Sequence, residues 1–211
     1  MYFNNGRLIR NHIKDSPMSA NNYQGSITVI IGPMCGGKTT RLITEKRKNE
    51  IAGRKVLLIK LPSDERYSTN EDVTTHDRAT EKGYKARDPN FLMDCGLPMQ
   101  ELIKFDVVCV DEGQFYQDVD IFCETLANLG IKVYVSALLG TYKREPFLNI
   151  ARLLALSENI IHTKAVDRNT GEDASFTLKR TVKGDSPVIE VGGLDLYEAV
   201  GRRTYFQNLS S

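Results

Sequence analysis

Residues 32–39 of this chain read Gly32-Pro33-Met34-Cys35-Gly36-Gly37-Lys38-Thr39. The octapeptide fits the pattern G-x-x-x-x-G-K-[ST], in which glycines let backbone N–H groups turn inward around phosphate oxygens. Lys38 would reach the β- and γ-phosphates of a nucleotide, and the Thr39 hydroxyl would bind Mg²⁺. A glycine-rich turn that fits by chance is the alternative. The context favours a phosphate loop, because an apolar run precedes it and a helical pattern opens after it.

The rest of the chain predicts the fold around this loop. Apolar, β-branched runs that are typical of buried strands occur at 26–31, 56–59, 106–110 and 132–138. Helical patterns are found at 39–51 and 119–129, and Gly130 is a C-terminal stop signal for the second. Strands that alternate with helices predict an α/β fold with a parallel sheet and helices on its faces. Together with the loop, this indicates a P-loop NTPase-type (RecA-like) domain.

The chain divides into four parts. Residues 1–24 are polar and lack periodicity, so we expect a flexible N-terminal extension. The α/β pattern occupies 25–160, although 61–100 is polar and rich in loop signals. Short polar stretches with several glycines indicate a small C-terminal lobe at 161–206, which we call the small lobe, and 207–211 form a tail.

Composition narrows the class of protein. The 211 residues are 41% hydrophobic and 26% charged, with a net charge of +1, so a small-molecule partner is favoured over nucleic acid. The absence of an apolar run of about 20 residues predicts no membrane partner. Four cysteines lack C-x-x-C spacing and read as core thiols in a reducing, cytoplasmic compartment. Cys35 is interpreted as a small residue tolerated in the loop rather than a redox handle.

A pair of acids follows the third predicted strand. Asp111 and Glu112 would lie at the sheet edge where ligands bind in open α/β folds. Asp111 is then placed to hold Mg²⁺, directly or through water, and Glu112 to act as a base on an attacking hydroxyl. A solvated strand end is the alternative. Phe115 either stacks on a planar base or packs beneath the loop.

With these motifs the chain resembles the type II thymidine kinases, the family of the cytosolic and poxviral enzymes. Their loop G-P-M-F-S-G-K-[ST]-[ST] is similar to residues 32–40, and their D-E-[AG]-Q-F-F to residues 111–116. Four further family-like strings are Asp64–Ser68, Thr75–Asp77, Gly140–Phe147 and Gly192–Tyr197. The resemblance runs from about residue 25 to 206.

The resemblance implies a kinase that phosphorylates the 5′-hydroxyl of thymidine with ATP and Mg²⁺. Glu112 would take the proton of that hydroxyl, and Arg66 would neutralise charge on the transferred group. The nucleotide and its magnesium would be bound by Gly32, Pro33, Met34, Cys35, Gly36, Gly37, Lys38, Thr39, Thr40, Asp111 and Gln114, with Thr39 and Asp111 as the Mg²⁺ ligands. The nucleoside would be bound by Met34, Phe115, Leu138, Tyr142, Thr177, Val188, Ile189, Glu190, Val191 and Tyr197, partly through a lasso loop at 177–197.

Some of these residues also have plain structural interpretations. Met34 and Leu138 could be core residues, Arg66 could form a surface ion pair, and His76 is interpreted as structural. The resemblance further implies a homotetramer or homodimer. Leu139 stands where the family often has Asp, so deoxyuridine is kept as an alternative substrate.

The chain departs from the family at its structural zinc. Two C-x-x-C pairs of the family correspond to Asp167 with Thr170 and to Gly201 with Thr204. One carboxylate cannot complete a closed tetrahedral site, so no structural zinc is expected. We hypothesise instead an ion pair between Asp167 and an arginine at 202 or 203. The loss also motivates an alternative function, a catalytically inactive nucleotide-binding regulatory homologue. An ATPase acting on nucleic acid is disfavoured by the balanced charge.

Overall fold

The computed structural model describes residues 25–62, 72–74, 80–180 and 196–209. Its strands are β1 Ser26–Gly32, β2 Val56–Lys60, β3 Asp72–Thr74, β4 Thr80–Lys82, β5 Tyr84–Lys85, β6 Val107–Val110, β7 Lys132–Leu138, β8 Asn159–His162, β9 Ala165–Val166, β10 Asp173–Ala174, β11 Phe176–Lys179 and β12 Tyr197–Val200. Its helices are α1 Lys38–Ile51, α2 Met99–Leu102, α3 Val119–Asn128, α4 Leu148–Leu156 and α5 Arg202–Leu209, and a 3-10 turn spans Gly113–Phe115. The extension predicted at 1–24 lies outside the described residues.

Six strands form one sheet in the order β5-β2-β6-β7-β1-β8. Every pairing in it is parallel, which confirms the predicted fold class. The register pairs Gly32 at the end of β1 with Leu138 at the end of β7. It also pairs Val110 with Val135, so Asp111 emerges next to Ser136. The carboxyl ends of the three central strands therefore meet at one edge of the sheet.

The four predicted strands and two predicted helices are confirmed within one residue at each end. Gly130 adopts a φ of 90° directly after α3, as a helix stop requires. Strand β8 and helix α4 were not predicted. Because β8 pairs with β1 and ends at His162, the sheet extends just past the predicted boundary at 160.

Alternate residues of the central strands bury opposite faces of the sheet. Val108 and Val110 belong to a large cluster with side chains from α3 and α4. Val107 and Cys109 face the other side, where Leu42 of α1 packs. Both faces are covered, which explains why these strands read as continuous apolar runs rather than as alternating ones.

In its described residues the small lobe has two antiparallel strand pairs, β9–β10 and β11–β12, followed by α5. Ala165, Ala174 and Ala199 form an apolar cluster within it, and Leu178, Val200 and Tyr205 form another. Within the described ranges, no helix combines the length and apolar character that a bilayer span requires.

Candidate active site

The phosphate loop, residues 32–39, connects β1 to α1 with the backbone conformation that its glycines allow. Gly37 has a φ of 72°, which favours glycine. A Cβ at Gly32 would lie 2.4 Å from Thr163 Oγ1 and 2.6 Å from the Thr163 carbonyl oxygen. No larger side chain therefore fits at position 32. Thr163 was not predicted, and it is fixed by donating its N–H to the Ile31 carbonyl at 2.8 Å.

Cys35 and Lys38 are the titratable side chains of the loop, and burial changes the pKa of both. Lys38 is only 9% exposed, and its Nζ donates to the Pro33 carbonyl at 2.7 Å. Burial lowers the pKa of Lys38, while Glu112 and Asp111 oppose that change. Burial raises the pKa of the Cys35 thiol, so this cysteine is protonated at neutral pH and is not activated as a nucleophile.

Thr39 and Asp111, the two predicted magnesium ligands, meet at the sheet edge. Thr39 Oγ1 donates to Asp111 Oδ1 at 3.1 Å and lies 3.4 Å from Oδ2. The Asp111 side chain is 3% exposed. Hard oxygen ligands of this kind fit Mg²⁺ that is also bound to nucleotide phosphates. The residues present thus fit the predicted ion, with Thr39 Oγ1 and the Asp111 carboxylate as its protein ligands.

Ser136 also contacts Asp111, and sequence reasoning missed it. Its hydroxyl donates to Asp111 Oδ1, and the serine is 1% exposed. The available signal was a single hydroxyl inside the otherwise apolar end of β7. Because β6 and β7 are neighbours in register, that hydroxyl faces the residue that follows Val110.

Glu112, the predicted base, combines an unusual backbone conformation with a side-chain contact to Gln114. Its φ of 54° is left-handed, a conformation that costs a non-glycine residue about 1 kcal/mol. The Gln114 Nε2 atom donates to Glu112 Oε2 at 2.5 Å. The opposite end of the same amide accepts the Leu138 N–H at 3.0 Å. Gln114 therefore positions Glu112, and its predicted nucleotide contact stays a prediction.

Asn149 of α4 stabilises the turn that carries Glu112. Its Nδ2 donates to the Gln114 carbonyl at 3.1 Å and to the Tyr116 carbonyl at 2.7 Å. Helix α4 was not predicted, so this contact was missed as well. Phe115 is half-buried and packs against the core, and its predicted stacking on a base stays a prediction.

Four of the predicted nucleoside residues lie at the junction with the small lobe. The Met34 N–H donates to Thr177 Oγ1 at 3.2 Å, which joins the phosphate loop to β11. The rings of Tyr142 and Tyr197 are 6.5 Å apart at their centroids. Lys179 Nζ lies 5.5 Å from the Tyr142 ring centroid and 5.8 Å from that of Tyr197. The junction thus brings two aromatic rings and a cation together.

Several predicted residues lie outside the described part of the chain. These are Arg66, His76, Val188, Ile189, Glu190 and Val191. Their predicted roles stay predictions.

The hypothesis of an ion pair at Asp167 is wrong. Its Oδ2 accepts the Gly201 N–H at 2.7 Å, its Oδ1 accepts the Asn169 N–H at 2.9 Å, and the Thr204 hydroxyl also donates to the carboxylate. The Arg202 guanidinium lies instead over the Phe176 ring, 5.2 Å from its centroid. Burial would raise the pKa of Asp167, but these hydrogen bonds outweigh it and the pKa is lowered.

Comparison with known proteins identifies the family. A family model described as thymidine kinase matches residues 25–205. The chain belongs to the thymidine kinase family. It is 40% identical to the thymidine kinase of Vaccinia virus (strain Western Reserve), over 87% of this chain and 98% of that protein. The cytosolic thymidine kinase of Gallus gallus is 39% identical over 90% of this chain and 81% of that protein. The predicted resemblance to the cytosolic and poxviral enzymes is confirmed.

A thymidine kinase of Variola virus is 38% identical over 87% of this chain and 98% of that protein. Among solved structures, the ATPase DotB of Legionella pneumophila superposes with a TM-score of 0.45 at 18% identity, over 78% of this chain and 46% of DotB.

Proposed function

We propose that this member of the thymidine kinase family transfers the γ-phosphoryl group of ATP to the 5′-hydroxyl of thymidine. The observation that carries the proposal is the position of Glu112. Its carboxylate is held by Gln114, directly after the buried Asp111 that contacts Thr39 of the phosphate loop. A base, a magnesium-type ligand pair and the loop lysine therefore lie around one sheet edge, which is the set that phosphoryl transfer needs.

The reaction assigns one job to each group. Glu112 accepts the proton of the 5′-hydroxyl as its oxygen forms a bond to the γ-phosphorus. The bond from that phosphorus to the bridging oxygen breaks, and ADP leaves. Lys38 Nζ exchanges its contact with the Pro33 carbonyl for phosphate oxygens. Thr39 and Asp111 would hold Mg²⁺, which would neutralise part of the phosphate charge. Arg66, outside the described residues, is assigned to the transferred group.

The acceptor base is proposed to bind at the junction of the loop and the small lobe. Thr177 accepts a hydrogen bond from the Met34 N–H there, and the rings of Tyr142 and Tyr197 lie 6.5 Å apart at an angle of 44°. Thymidine is the proposed substrate and deoxyuridine the alternative. Cytoplasmic activity as a homotetramer or homodimer belongs to the same proposal and rests on the family alone.

The test is transfer of labelled γ-phosphate from Mg-ATP to a panel of four deoxynucleosides and deoxyuridine. Glu112→Gln is the test variant, and Glu101→Gln is the control because Glu101 forms an exposed pair with Lys104 at 2.6 Å. We expect thymidine to be labelled by the wild type and by the control, and at least 100-fold more slowly by Glu112→Gln. Labelling of none of them, by a protein that still binds an ATP analogue, would favour the inactive regulatory homologue.

A further inference from the structure

The residues at the family's zinc positions do not fit a zinc site. Of Asp167, Thr170, Gly201 and Thr204, only Asp167 carries a side chain that commonly binds zinc. In the described ranges no group of three or more His, Cys, Asp or Glu side chains is arranged to hold a metal. The two segments nevertheless meet, so another interaction joins them.

That interaction is centred on the Asp167 carboxylate, which is 0% exposed. On its own segment, Asp167 accepts the Asn169 N–H through Oδ1 at 2.9 Å. Across the junction, Oδ2 accepts the Gly201 N–H at 2.7 Å, and the Thr204 hydroxyl donates from the first turn of α5. One carboxylate thus binds both segments, and hydrogen bonds to a charged acceptor are roughly twice as strong as neutral ones.

The backbone of Gly201 lies close to the Asp167 carboxylate. A Cβ at Gly201 would lie 3.2 Å from Asp167 Oδ2, closer than most side chains tolerate. Glycine at 201 therefore allows the backbone to approach the carboxylate. Behind Asp167, the Asp167 carbonyl accepts the Gly171 N–H at 2.7 Å, and the Asp167 N–H donates to the Glu172 carbonyl at 2.8 Å. The Asp167 backbone is therefore held by its own hairpin.

The segments that the Asp167 carboxylate joins also contact the phosphate loop. Ala165 and Ala199 are the second residues before Asp167 and Gly201, and with Ala174 they pack against Cys35 of the loop. Beside them, Thr177 accepts the Met34 N–H at 3.2 Å. The β9–β10 and β12 segments that Asp167 joins therefore form the surface against which the phosphate loop packs.

We propose that the Asp167 carboxylate replaces the family's structural metal as the crosslink of the small lobe, and that it positions the lobe against the phosphate loop. The crosslink concerns the small lobe alone. The positioning of the lobe rests on the proposed function, since it assigns Asp167 an effect on nucleotide and nucleoside binding. Asp167 is a positioning residue and is not a catalytic one.

The test variant is Asp167→Asn, which keeps the shape but replaces one acceptor oxygen with a donor. The matched control is Asp173→Asn in the same hairpin, because Asp173 is exposed and pairs with Lys164 at 2.7 Å. We expect Asp167→Asn to lower the thermal unfolding midpoint by about 5 °C and the control to change it by less than about 1 °C. Equal midpoints for the two variants would overturn the crosslink.

Metal dependence is measured on the full wild-type chain. We expect less than about 0.1 zinc per chain by elemental analysis, and no change in the unfolding midpoint with a zinc-selective chelator. Stoichiometric zinc together with a chelator-sensitive midpoint would overturn the proposal. Neither measurement needs thymidine turnover, so failure of the proposed function is distinguishable from failure of this inference.

Positioning is tested by kinetics at a temperature where both variants are fully folded. We expect Asp167→Asn to raise KM for ATP and for thymidine about fivefold while kcat changes less than about twofold. The turn that carries Glu112 follows β6 of the sheet and is not part of the small lobe, so kcat should be little affected. A lowered midpoint with unchanged KM values would overturn the proposal that Asp167 positions the lobe.

A quadruple variant with cysteine at 167, 170, 201 and 204 tests whether a metal can take over the role of the carboxylate. We expect it to bind one zinc per chain and to have an unfolding midpoint close to that of the wild type, above that of Asp167→Asn. A folded quadruple variant that binds zinc without regaining stability would contradict the equivalence.

Discussion

Removing the Ser136 hydroxyl tests whether the edge of the sheet depends on the Asp111 contact. Ser136→Ala conserves shape, and the serine is 1% exposed, so the change removes one buried hydrogen bond to a carboxylate. Such bonds contribute about 1.5–3 kcal/mol, and we take about 2 kcal/mol for this site. For a chain of this size that corresponds to a fall in Tm of about 4–8 °C.

The assay is urea unfolding followed by circular dichroism, with wild type, Ser136→Ala and the control Thr125→Ala measured together. The Thr125 Oγ1 atom makes a solvent-exposed hydrogen bond to the neutral Ile121 carbonyl at 2.7 Å, so its loss should cost no more than about 0.5 kcal/mol. A free energy of unfolding for Ser136→Ala that matches the control would refute the reasoning, because Asp111 would then gain nothing from the serine.

Three further predictions follow from other contacts. Asp167 has a lowered pKa in the folded chain, so its contribution to stability is present above about pH 3.9 and is lost as pH falls toward the folded pKa. Urea titrations at pH 6 to 3 should show a smaller acid loss for Asp167→Asn than for wild type. Asn149→Ala removes two hydrogen bonds from the turn that carries the predicted base. It should lower kcat about tenfold, while Asn128→Ala on the surface of α3 leaves kcat unchanged. Gly32→Ala would place a Cβ 2.4 Å from Thr163 Oγ1, and calorimetry should detect at least tenfold weaker binding of an ATP analogue.

The phosphate loop was predictable from sequence because its chemistry is local. The glycines, lysine and threonine occur at fixed spacing, and the flanking strand and helix were confirmed within one residue. Asp111 and Glu112 were placed correctly at a strand end for the same reason. The order of neighbouring residues is enough to identify the loop and both acids.

The supporting contacts were missed because they join distant segments. Ser136 is 25 residues from Asp111, and Asn149 is 35 residues from Gln114. A single hydroxyl in an apolar strand is a weak signal for Ser136, and Asn149 carries none, so only the tertiary packing of β7 and α4 brings them to the site. The ion pair assigned to Asp167 failed for a related reason, since opposite charge predicts attraction but does not predict which groups point inward. Backbone N–H groups met the carboxylate, and Arg202 stacked on Phe176 instead.

The close approach of Gly201 to Asp167 has a consequence for how such chains change over generations. A Cβ at 201 would lie 3.2 Å from the carboxylate oxygen, so a larger residue there would require the carboxylate or the backbone to shift by a few tenths of an ångström. A substitution at 201 therefore also acts on the hydrogen bond from the Gly201 N–H to Asp167 Oδ2. We expect the two positions to vary together rather than independently.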